Sequence, residues 1–149
     1  MPYTPLREIA AGFAEKISSE LAGDFKLITH CQATGGGQLW EMLQALAAVP
    51  AAVVAVGNGD FEDNSLKRSC RVMVFVVAPF AKYLAKDADG VWDLSEKVLE
   101  LFLPDFSDGV NFTQVCGIEF VPVGWNPIES DESISAYCLT FEGTEFLLK

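Results

Sequence analysis

Ala51-Ala52-Val53-Val54-Ala55-Val56 and Arg71-Val72-Met73-Val74-Phe75-Val76-Val77 decide the fold, with Gly57-Asn58-Gly59-Asp60-Phe61-Glu62-Asp63-Asn64-Ser65 lying between them. Both runs are apolar and rich in β-branched residues without polar alternation, the pattern of strands covered on two faces near the middle of a sheet. The intervening segment is made of residues that tolerate turn geometry, and it predicts a long exposed hairpin loop.

A sheet buried on both faces needs helices, and the flanking sequence supplies three. Leu6, Ala10, Phe13, Ile17 and Leu21 recur at helical spacing, with Arg7, Glu8, Glu15, Lys16 and Glu20 mostly off that stripe, until Gly23 ends the helix. Residues 25–30 then read as a short strand. Gly35-Gly36-Gly37 breaks the chain before a second helix over residues 38–48, striped by Leu39, Met42, Leu43, Leu46 and Val49 and stopped by Pro50. An irregular stretch follows Pro79 as far as Asp89-Gly90. Val91, Leu94, Val98, Leu101 and Phe102 stripe a third helix that Pro104 closes; Asp93 and Glu96 have capping-box spacing, and Asp89 is an alternative start.

Two further strands, residues 112–123 and 133–141, are joined by a turn-rich excursion over residues 122–131, and Ser135, Tyr137, Leu139 and Phe141 alternate with Ala136, Cys138 and Thr140 as in an antiparallel pair. The order is α-β-α-β-β-α-β-β. It predicts a single α/β (α+β) domain over residues 1–149, with a mixed, mainly antiparallel sheet of about five strands packed by helices. No internal repeat or low-complexity segment interrupts it.

Half of the 149 residues are hydrophobic, with 11 Phe, 3 Trp and 3 Tyr, enough apolar volume to outweigh the conformational entropy of folding. Against 10 Lys and Arg stand 21 Asp and Glu, a formal charge of -11. That field repels phosphate and anionic lipid, and so disfavours gripping of nucleic acid; it also serves solubility. The opening Met1-Pro2-Tyr3-Thr4-Pro5 is not a signal peptide, and the longest apolar run, residues 72–80, is too short to span a bilayer, so a cytoplasmic protein without membrane contact is expected. Cys31, Cys70, Cys116 and Cys138 are far apart and form no CxxC; three sit in strand-like surroundings and read as small buried thiols outside any disulfide framework.

Few residues offer chemistry. Gly35-Gly36-Gly37 precedes a helix, where backbone N–H groups can hold an anion, but neither P-loop nor GxGxxG spacing follows, and the segment reads as a flexible connection. His30 and Cys31 are neighbours on a strand and point to opposite faces, so they do not share a proton, and one histidine does not make a His-rich metal site. Asp60, Glu62 and Asp63 resemble part of an oxygen-ligand cation site without the full EF-hand pattern; a solvated loop or a partner surface is the simpler reading. Trp125, between Gly124 and Asn126-Pro127, sits in a turn-like segment, either tucked over the core or offered to a neighbouring chain. The apolar tail over residues 141–149, with Phe146 and Leu147, either docks on its own domain or adds to a partner's sheet edge. These readings make Asp60, Phe61, Glu62, Asp63, Trp125, Asn126, Phe146 and Leu147 the candidate interaction residues, with no catalytic, cofactor-binding or metal-binding residues.

The central strand Arg71-Val72-Met73-Val74-Phe75-Val76-Val77, the helix opening Val91-Trp92-Asp93-Leu94 with Val98-Leu99 beyond it, and the closing Ala136-Tyr137-Cys138-Leu139-Thr140-Phe141 together resemble the tail-terminator proteins of Mu-like phages, prophages and related contractile tail-like particles. The resemblance runs from Leu6 to Phe141. It implies a structural protein, not an enzyme, whose copies form a ring, commonly a hexamer, on the last layer of tail-tube subunits. The implied partners are other copies, the tube and sheath proteins, and a head-tail connector or collar protein. No cofactor is implied. Such a protein assembles in the host cytoplasm and ends in the particle, with DNA passing an acidic lumen without a specific contact. Ring subunits meet through exposed loops, strand edges and termini. Alternatives from other classes are a small ligand-binding or regulatory domain framed by Gly35–Gly37 and the acidic loop, an enzyme using Cys31 or that loop, and another neck or connector subunit.

Overall fold

The computed structural model describes residues 3–32, 37–46, 48–64, 66–80, 90–104 and 113–147. Outside them lie Gly35 and Gly36 of the triple glycine, the irregular stretch before Gly90, Ala47 and Ser65, Phe112 at the predicted strand start, and the terminal Leu148 and Lys149. The elements are α1 (Leu6–Leu21), β1 (Leu27–His30), α2 (Gly37–Gln44), β2 (Ala51–Val56), β3 (Phe61–Glu62), β4 (Lys67–Pro79), α3 (Val91–Glu100), β5 (Gln114–Val115), β6 (Ile118–Ser130) and β7 (Ile134–Phe146).

The expected mixed, mainly antiparallel sheet is present, with seven strands among the described residues instead of about five. Its order is β1-β2-β4-β7-β6-β5, with β3 paired to β4; only β1 and β2 are parallel. The deciding runs lie side by side in its middle, Val53 opposite Phe75 and Val54 opposite Val74, and residues 51–55 and 74–77 are sealed on each face. On one face α1 and α3 contribute Ile9, Phe13, Ile17, Leu94 and Val98 to a core with Val54, Val72, Val74, Val76, Leu139 and Phe141. Phe13 stacks on Phe102 at 4.7 Å and meets Phe120 edge-on at 4.9 Å. On the other face Leu43 of α2 packs with Val53, Phe75, Val77, Ala136 and Cys138. Burying each such side chain contributes about 1.5–3 kcal/mol.

Four expectations need correction. The loop over residues 57–65 contains β3, because Gly59 lets the chain pass so close to β4 that a Cβ there would lie 2.1 Å from the Ser69 carbonyl oxygen. The strand over residues 112–123 is two strands: Cys116 and Gly117 both take positive φ, 55° and 78°, and reverse the chain in a two-residue hairpin. The excursion over residues 122–131 is strand as far as Ser130, its turn-like composition absorbed by bulges beside Pro122 and Pro127, so Trp125 stands on a strand and not on a turn. Two of the four cysteines, Cys70 and Cys138, are buried in strands; Cys116 is exposed on the hairpin and Cys31 follows β1, half-buried.

The tail belongs to its own sheet. β7 continues to Phe146, which pairs with Lys67. In α3 the residue at the cap is Gly90, and Asp93 serves one turn in, its carboxylate accepting the Gly90 N–H at 3.2 Å.

Candidate interaction surfaces

β7 is thirteen residues long and presents a different surface at each end. Near its C-terminal end the structure brings together six of the predicted interaction residues: Phe61 pairs with Arg68, Phe146 with Lys67, and Leu147 donates its N–H to the Leu66 carbonyl, while Asp60, Glu62 and Asp63 flank them; all are exposed but Leu147, which is half-buried. Lys67 bridges Asp63 at 3.1 Å and lies 5.5 Å from the Phe146 ring centroid.

A buried ion pair fastens this end. Arg68 reaches Glu145 at 3.1 Å and donates to the Thr4 carbonyl at 2.6 Å, Thr4 N–H donates to the Glu145 carboxylate at 3.1 Å, and the guanidinium covers the Tyr3 ring at 4.6 Å. Tyr3 in turn meets Phe61 edge-on at 6.3 Å. The start of the chain, β3, β4 and β7 are thus joined through one guanidinium.

The other predicted pair, Trp125 and Asn126, lies on β6 beside the middle of β7, on opposite faces: Trp125 is opposite Leu139 and Asn126 opposite Cys138. Trp125 forms one wall of a groove of about 790 Å³ between α3 and β6. Trp92, Leu99 and Leu103 line it from the helix side, Pro122 and Val123 from β6, and Tyr137 from β7. Trp92 is 70% exposed and Trp125 65%, yet Trp92 is held in place, its Nε1–H donating to the Tyr137 hydroxyl at 2.8 Å. Past Trp92 and Tyr137 the depression continues along Asp93, Pro127, Glu129 and Ser130. The carboxylates of Glu96, Glu100, Asp93 and Glu129 line this trench, and among the described residues no lysine, arginine or histidine does.

Trp92 and the helix side of this groove were missed in the sequence, although a signal was present. Trp92, Ser95, Leu99 and Leu103 follow one another at helical spacing beside the stripe that fills the core, and a second stripe on a short helix marks a second contact face.

Burial pushes the Cys70, Cys116 and Cys138 thiols up, with Glu8 and Glu145 adding to the rise at Cys116, whereas a nucleophilic thiol is driven down. Among the described residues no group of three or more His, Cys, Asp or Glu could hold a metal ion, and no helix is long and apolar enough to cross a membrane. Neither the protein-family models nor the curated proteins yield a match to the chain.

Proposed function

We propose that the chain terminates a tail tube: copies form a ring, commonly a hexamer, that caps the last tube layer and sheath, ends polymerisation and offers the opposite surface to a connector or collar protein. The observation that carries this reading is the division of the exposed large apolar side chains. Phe61 and Phe146 lie at the Lys67 end, Trp92, Leu103 and Trp125 line the groove, and Val123 between them borders both the groove and Phe146. Tyr137 in the groove and Phe146 are nine residues apart on β7, about 30 Å of extended strand. A subunit that closes a ring head-to-tail and also sits on a different protein needs separate, non-identical apolar surfaces. The acidic composition suits a lumen through which DNA passes without sticking.

Light scattering over a concentration series, with and without purified tail-tube protein, tests the proposal. A discrete ring, or a monomer that becomes a ring on tube ends, is expected; a chain that stays monomeric and ignores tube ends overturns it.

A further inference from the structure

We propose that the trench between α3 and β6 is a docking site for an extended, basic segment of a different protein, in which Lys or Arg neighbours an apolar anchor. Chemistry of the walls commits the site to a cation. Two exposed indoles and Tyr137 offer π-faces, four carboxylates stand along the trench, and no positive charge among the described lining residues opposes them. Trp92 is already oriented by Tyr137, so little of its freedom remains to be lost on binding. The ten residues of α3 measure about 15 Å, room for about five residues of extended chain.

Recognition here works through side chains and not through strand addition. Beyond Phe120 the outer edge of β6 has no strand partner among the described residues, but Pro122 and Pro127 and the two bulges break its row of donors. On net charge a second copy is the poorer occupant, since a chain of -11 is repelled overall by an acidic trench. The Phe61 and Phe146 end mixes Lys67 and Arg71 with carboxylates and is left for contact between copies. In that division of labour the inference rests on the terminator reading.

The test is selection from a displayed library of random decapeptides, followed by tryptophan-fluorescence titration of one selected peptide. Selected sequences are expected to carry net positive charge with Lys or Arg beside an aromatic or aliphatic residue. Trp125→Ala should weaken binding by about tenfold, and the double variant Glu96→Gln, Glu100→Gln by about threefold. Peptides without an excess of cations, no selected peptide at all, or binding that both variants leave unchanged would overturn the proposal. The double variant keeps the surface shape, so the test survives if Trp125→Ala fails to fold. Light scattering of the same variants separates the two readings. A ring that falls apart in the double variant makes the trench a contact between copies and overturns the docking site. A parent that stays monomeric, even with tube protein, while binding cationic peptides ends the ring reading and leaves the docking site standing.

Discussion

The two ends of β7 are built on opposite principles. At the Phe146 end, segments far apart in sequence are held by one desolvated guanidinium; at the Tyr137 end, aromatic side chains stand on helix and sheet that already share a packed core. Removing a single group should therefore dismantle the first surface and only alter the second.

Arg68→Ala should have the largest effect. Its loss leaves Glu145 buried without its cation and the Thr4 carbonyl without a donor, a change that costs about 3–5 kcal/mol. Urea unfolding measures it, and a loss below about 1 kcal/mol, the range of an exposed pair, would erase the contrast between the ends. Tyr137→Phe should come next. It removes the acceptor of the Trp92 indole N–H and should cost about 0.5–1.5 kcal/mol, with a shift in Trp92 emission as the ring loses its fixed position. Trp125→Ala is expected to change stability by less than about 0.5 kcal/mol, since the side chain is largely exposed. A larger loss in the same unfolding experiment would mean that Trp125 is part of the core and not a surface offered to another protein.

The fold was legible where one residue type dominates a run. The apolar strands over residues 51–56 and 72–77 and the stripe of α1 from Ala10 to Leu21 are found as read, whereas Leu6 at the start of that stripe is exposed. Legibility failed where local composition and tertiary pairing disagree. Residues 122–130 contain two prolines and a glycine, which by themselves favour turns, yet pairing with β7 holds them extended and bulges take up the mismatch. Cys116-Gly117 looked like strand interior because the reversal depends on backbone dihedrals that a cysteine seldom adopts. The loop and tail stood out because a Phe beside acidic residues is conspicuous in sequence, and the structure leaves Phe61 and Phe146 exposed. The groove escaped because its second wall comes from α3, and only the tertiary fold places Trp92 across from Trp125.

The smallest predicted effect probes the turn that closes the groove end. The Asp131 carboxylate accepts the Gln44 side-chain amide at 2.9 Å and the Ser133 and Ile134 N–H groups at 2.6 and 2.8 Å. These bonds, the Gln44 contact first, hold its pKa below the usual carboxylate value. A carboxyl depressed in the folded state contributes stability that is fully present above its unfolded pKa and is lost as the pH falls through the folded value. Between about pH 5 and about pH 2, the parent should therefore lose more of its Tm than Asp131→Ala, which has no such contribution to lose. The β6–β7 turn and α2, joined by the Gln44 contact, should loosen together in amide exchange as the carboxyl is protonated. Equal acid sensitivity of parent and variant would show that the turn is held by β6–β7 pairing alone, and would place the groove end even further from the charge-fastened end than the present comparison does.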